Sequence, residues 1–193
     1  MSKHLRLLPA LAILPLLAGC VGASDPANVY LGGAGDPIRG AALNAPFQFG
    51  DLPAQRGQPA RVALAVAQLE FLTRRLSEDL ARQSDFSGTT LLQLRSGQAE
   101  ARQAFGIAPQ APAREVENAL RRAARALEGL DPDGARAALS GPNFPAGGAE
   151  VLRRLSEPPA LPQVSAAAAA VSNDIMSRRF DRSSRHHRHN PVT

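Results

Sequence analysis

From Pro59 onward, apolar residues return every three or four positions: Val62, Val66, Leu69, Leu72, Leu76 and Leu80. Arg61, Gln68, Arg74, Arg75, Glu78 and Arg82 fall largely off that stripe. This is the period of a helix with one buried face, and it predicts a helix over about residues 60–83. Pro59 suits its first turn, and Phe71 flanks the stripe and can widen it. A weaker stripe, Leu91, Leu94, Gln98, Ala101 and Phe105, follows Asp85 and Ser87, either of which can cap a helix by accepting from its free N–H groups. Gly97 stands in its middle, where glycine costs about 1 kcal/mol against alanine and predicts a bend. Gly106, with Ile107 and Pro109 behind it, predicts the stop.

Pro112 opens a third predicted helix with Val116, Ala119, Leu120, Ala123 and Leu127 inward, ending near Gly129. Arg121, Arg122 and Arg125 are assigned to its outer face, where Glu117 can pair with Arg121 one turn on for a few tenths of a kcal/mol. Asp131-Pro132 reads as a cap and first turn for a short helix carrying Ala135, Ala138 and Leu139, ended by Gly141-Pro142. Val151, Leu152 and Leu155 support another short helix from Gly147, stopped at Glu157-Pro158-Pro159. A last helix begins near Pro162 with Val164, Ala167, Ala168, Val171 and Ile175 inward. Its run Ala166–Ala170 favours helix and offers a face of small side chains for close approach. No alternating run of β-branched or aromatic residues supports a strand, and no fixed-period repeat appears. The expectation is an all-α fold, a small irregular bundle of four to six helices over residues 59–177.

Residues 20–58 read differently. Positions 21–58 hold seven Gly and four Pro with no sustained period, the composition of a tether. Val29, Tyr30, Leu31, Ile38, Leu43, Phe47, Phe49 and Leu52 are too apolar for a pure linker, so part of it should dock on the helices, with Tyr30, Phe47 and Phe49 as anchors.

Ahead of it, Lys3 and Arg6 precede an apolar stretch from Leu5 to Leu17. A helix needs about 20 apolar residues to cross a bilayer, so this stretch reads as an export signal, residues 1–19, to be removed. It closes on Leu17-Ala18-Gly19-Cys20, which holds the chain's single cysteine. This ending resembles the lipobox of bacterial lipoproteins. The resemblance implies recognition of Leu17, Ala18 and Gly19 by the signal peptidase, and a diacylglyceryl group on the Cys20 thiol, usually with a third acyl chain such as palmitate on its amine. Two or more chains give stable anchoring. In that family an Asp after the cysteine retains many members in the inner membrane. Val21 stands here instead, which implies the outer membrane, periplasmic face. The other reading is an ordinary secretory signal cut after Ala23, which would release a soluble periplasmic or secreted protein without cysteine.

The formal charge of +5 changes meaning once it is placed along the chain. Residues 20–177 hold 15 Arg against 16 acidic residues, whereas residues 178–193 hold Arg178, Arg179, Arg182, Arg185 and Arg188 against Asp181. The body is near neutral and the tail is basic. The tail is expected to be disordered and to touch anionic envelope surfaces weakly; an exported chain gives nucleic acid no role as its partner. No lysine follows Lys3, so bonding to the cell wall through a C-terminal lysine amine is not expected.

Candidate chemistry is sparse. His4 leaves with the signal, and His186, His187 and His189 sit in the tail, where they are weak candidates for Zn²⁺ or Cu²⁺. The body has no histidine and no thiol beyond Cys20, so nucleophile-and-base catalysis has no components there. Glu70, Glu78, Asp79, Asp85, Glu100, Glu115, Glu117 and Glu128 could serve a carboxylate enzyme acting on cell-wall material, but they form no catalytic motif. No cofactor is expected. The leading expectation is a non-catalytic lipoprotein that binds another envelope component. The alternative is a bundle that takes a lipid or small molecule in a pocket lined by Phe71, Phe105 and Phe144.

Overall fold

In the computed structural model, which describes residues 36–78 and 86–187 and the side chains of these as far as residue 177, every regular element is helical. The described α-helices are α1 (Pro37–Phe49), α2 (Pro59–Glu78), α3 (Gly88–Phe105), α4 (Ala113–Glu128), α5 (Pro132–Ala138), α6 (Gly148–Ser156) and α7 (Pro162–His187), with a single 3-10 turn at Pro53–Gln55. The fold is all-α: six described helices start between Pro59 and Pro162, within the four to six expected there, and a seventh precedes them.

The additional helix is α1, inside the stretch read as a tether. Asp36 caps it, its Oδ1 accepting from the Ile38 N–H at 3.0 Å, and Pro37 occupies the first turn. Ile38, Ala41, Ala42, Ala45 and Phe49 are buried along one side. Pro46 is tolerated because it falls in the last turn, where one lost backbone hydrogen bond ends the helix instead of breaking it; the Gly50 N–H then closes on the Pro46 carbonyl. Of the expected anchors, Phe49 is fully buried and Phe47 is exposed. Tyr30 lies outside the described residues.

Helix α2 is the axis of the molecule. Residues 65–73 are buried without interruption, so the stripe seen in the sequence is only the most apolar part of a helix covered on all sides. Among the described elements it packs against α1, α3, α4 and α6. Gln68, expected off the buried face, donates from Nε2 to the Ala41 carbonyl at 2.8 Å and ties α2 to α1.

Four helices form the main bundle. Helices α1 and α3 flank α2 on one side, and α7 lies across from it, packed on α1 and α3. Helices α4, α5 and α6 close the other side. The neighbours run antiparallel. Ser87, which caps α3 by accepting from the Thr90 N–H, donates its own N–H to Asp174 on α7, while Glu100 further along α3 accepts from Val164 at the start of α7. The Ser165 hydroxyl in the first turn of α7 donates to the Gly50 carbonyl at the end of α1.

The α3–α7 contact explains Gly97. A Cβ there would stand 3.0 Å from the Gln163 carbonyl oxygen and 3.2 Å from the Ala167 Cβ. Gly97 therefore lets two helices touch, against the small face supplied by Ala167 and Ala168, and the helix continues through it to Phe105. Asp131-Pro132 starts α5 as read, with Asp131 Oδ1 accepting from Gly134 N–H at 2.8 Å. Helix α7 extends to His187, 26 residues in all. Nothing in the sequence between Pro162 and Pro191 breaks a helix.

Candidate functional site

Helix α2 carries Glu70, Arg74 and Glu78 four residues apart, so they form one polar ridge on an otherwise apolar helix, directed between α3 and α4. The ridge is met by charges of the opposite sign. From α3, Arg102 donates from Nε to Glu70 Oε1 at 2.8 Å and from Nη2 to Oε2 at 2.7 Å, and Gln98 donates to Oε2 at 2.5 Å. The third nitrogen of the Arg102 fork, Nη1, donates to the Pro109 carbonyl at 2.7 Å. Glu70 and Arg102 are both buried, so the pair works in a low dielectric, where a two-pronged match of guanidinium and carboxylate offsets the loss of water.

From α4, Glu117 accepts from Arg121 at 3.0 Å and from Arg74 at 3.0 Å. Arg121, assigned to the outer face from the sequence, is buried, because α2 passes over that side of α4 and supplies Arg74. Arg74 also reaches Glu78 at 3.1 Å, and its guanidinium stands 5.8 Å from the centre of the Phe71 ring. Three carboxylates and three guanidiniums thus share one interface among α2, α3 and α4. One polar atom goes without: the buried Nε of Arg74 has no acceptor.

Beside this cluster the surface is hollowed. A groove of about 480 Å³ is lined by Arg95, Gln98, Arg102, Gln103, Ile107 and Pro145, among others. A second hollow of about 320 Å³, toward Ser77 and Glu78, shares Arg95, Gln98 and Arg102 with it. The larger groove owes its shape to the turn after α3. Gly106 has φ 70°, the left-handed region that ends a helix and turns the chain, and Ile107, Ala108 and Ala111 are then buried. The Ala108 N–H donates to the Asn143 carbonyl and brings the 143–146 loop across to form the far wall. Arg154 supports the turn from behind, donating to the Ala104 carbonyl at 3.4 Å. Arg154 is itself held by Glu150, whose carboxyl is drawn down to about 2 by hydrogen bonds from Arg153 first and then Arg154.

Arg95 is exposed on the rim and makes no ion pair among the described residues; its Nη2 lies 3.4 Å from the Ser77 hydroxyl. The groove therefore offers an apolar floor, two amide side chains and one exposed guanidinium with no carboxylate partner among the described residues. That chemistry suits an amphipathic ligand with an anionic end.

The residues singled out from sequence fall in different places. Cys20, Leu17, Ala18 and Gly19 lie outside the described residues, as do Asp79, Asp85, Arg188 and His189. Phe71, Phe105 and Phe144 are buried in the core and line neither hollow. Glu100 caps α7, Glu115 accepts from Asn143 at 2.8 Å, and Glu128 is exposed at the end of α4. The side chains of His186 and His187 lie outside the described residues. Among the described residues no three His, Cys, Asp or Glu are placed to hold a metal ion. Arg95, Arg102 and Gln103 were not singled out. The available signal was Gln98, a polar side chain in a stripe that should bury carbon, with Arg102 one turn further on.

No protein-family model, curated protein or solved structure matches this chain. No described helix is long and apolar enough to cross a membrane.

Proposed function

We propose that this protein is a periplasm-facing lipoprotein, held to the outer membrane by acyl chains on Cys20, whose helical body binds another envelope component and does no catalysis. The observation that carries the anchor is Leu17-Ala18-Gly19-Cys20 at the end of a complete export signal. What supports binding over catalysis is the state of the two buried carboxylates. Glu70 and Glu117 each spend both oxygens on guanidiniums, which leaves them poorly placed to exchange protons with a substrate. Cys20→Ser should abolish incorporation of labelled palmitate and move the protein out of washed membranes. Membrane retention at the wild-type level overturns the anchor.

A second reading is favoured by the groove beside Arg95. Its size fits a small amphipathic molecule with an anionic head. Anilinonaphthalene sulfonate is a probe of that shape and charge. Its fluorescence should rise with the wild-type protein, and Ala99→Trp, which fills the groove, should weaken binding about tenfold, the scale expected for one lost apolar subsite. Equal binding by that variant removes the groove as a ligand site.

A further inference from the structure

Leu130, in the turn after α4, is held in two unfavourable states at once. Among the described residues it is the most exposed large apolar side chain, at 89 % of its full surface, and it is the one non-glycine residue with positive φ, 58°. The turn dictates that φ. The Asp131 N–H donates to the Ala126 carbonyl at 2.8 Å and the Leu130 N–H to the Leu127 carbonyl at 3.1 Å, the pair of bonds that closes a helix end around a left-handed residue, usually glycine. Gly129 stands one position too early to serve, at φ −81°. Leucine in the left-handed region costs backbone energy, and a side chain left in water gains nothing from burial to offset it. Glycine would close α4 at lower cost.

The surroundings of this apolar knob are acidic. Glu128, exposed and without an ion pair among the described residues, stands two positions before it, and Asp131 follows it. The complementary surface is on the same molecule. The groove of about 480 Å³ presents Ile107, Pro109 and Pro145 in its walls and Arg95, which has no carboxylate partner among the described residues, on its rim. An apolar cavity of about 150 Å³ already admits a benzene ring, so the groove has room for a leucine side chain. Within one chain the two surfaces cannot meet. Pro109 lines the groove ahead of α4, Leu130 follows α4, and the 16 residues of that helix put about 24 Å between them.

We propose that Leu130 of one copy of this protein seats in the groove of a second copy, with Glu128 of the first against Arg95 of the second. It rests on the reading of a body that binds another component, for which it names the partner, and needs nothing from the Cys20 anchor. The knob supplies the apolar filling that the groove lacks, and the carboxylate beside it supplies the charge that Arg95 lacks. Knob and groove are different surfaces, so the contact is head-to-tail: each copy gives its knob to one neighbour and receives the knob of another. A small amphipathic ligand in the groove and the knob of a second copy exclude each other.

The test is sedimentation of the full mature protein at rising concentration, in a neutral detergent kept in large excess. The mass of the wild type should grow with concentration, past that of a pair. Leu130→Gly should weaken association about 10- to 100-fold, the scale of one leucine leaving an apolar seat, and should melt no lower than the wild type, because glycine suits φ 58°. Ala99→Trp, which fills the groove, should weaken association about tenfold or more. An equal mixture of these two variants should form pairs and stop there, since one intact knob and one intact groove remain between them. Arg95→Glu should weaken association about tenfold, and Glu128→Arg added to the same chain should restore it. A wild type that stays monomeric, a Leu130→Gly or Ala99→Trp variant that associates as the wild type does, or a mixture that forms no pairs overturns the proposal. Anilinonaphthalene sulfonate reads the groove separately. A monomeric wild type that still brightens the dye overturns this proposal alone, and a wild type that assembles while the dye finds no site overturns the small-ligand reading alone.

Discussion

Glu70→Ala should lower the unfolding free energy by about 3–5 kcal/mol, the range for breaking a buried ion pair from one side. The melting temperature should fall on the order of 10 °C for a body of this size. The cost arises on Arg102, which would keep its charge in a buried site with only the Pro109 carbonyl and whatever water could enter. The complementary variant tests that cause. Glu70→Leu combined with Arg102→Met removes both charges and keeps the volume, and it should stand within about 1 kcal/mol of the wild type, because an apolar pair needs no partner. Pro109 is exposed and can give its carbonyl to water. Denaturant unfolding followed by circular dichroism measures both. A loss below about 1 kcal/mol for Glu70→Ala would mean that the cluster is hydrated.

Gly106→Ala is the second large effect. The residue sits at φ 70°, where an L side chain costs about 1–2 kcal/mol. Its Cβ would also stand 2.6 Å from the Ala146 Cβ and 3.1 Å from Arg154 Nη1, so the groove's far wall must move, which overpacking data put at about 1–3 kcal/mol. Together these give about 2–5 kcal/mol. Adding Ala146→Gly separates the two parts: it removes the facing methyl but not the backbone cost, so the double variant should recover only the packing share. Full recovery would show that the left-handed turn is easily rebuilt.

Much of the architecture was legible because helix signals are local. Stripes at three- and four-residue spacing, Ser87 and Asp131 as caps and Gly106 as a stop all act within one or two turns, and the structure places helices there. Helix α1 was legible by the same rule, since Asp36-Pro37 is the signature that was read at Asp131-Pro132. Gly40, Pro46 and the glycines before them outweigh that signature in a count of composition. Their positions decide the matter: Pro46 falls in the last turn, and Gly40 is buried on the packed side. The polar ridge was less legible for a different reason. Glu70, Arg74, Arg102 and Arg121 look like surface charges one helix at a time, and only the meeting of α2 with α3 and α4 shows that they neutralise one another out of water. The groove was not legible at all, being a space bounded by two stretches far apart in the chain, 95–109 and 145–146. The lipobox is the reverse case, a signal complete in the sequence and independent of the fold.

The pairing of α7 with α1 and α3 has a topological consequence for synthesis. Gly97 finds Val164 and Ala167, and Gly50 finds Ser165, only across some 65 to 115 intervening residues. A nascent chain that has not yet released Val171 cannot close the main bundle, however well formed α2 and α4 already are. Contacts of that sequence separation come late, because the loop they close must first lose its freedom. The last native contacts to form thus join the first described helix to the last, and the polypeptide stays open until nearly its whole length is free.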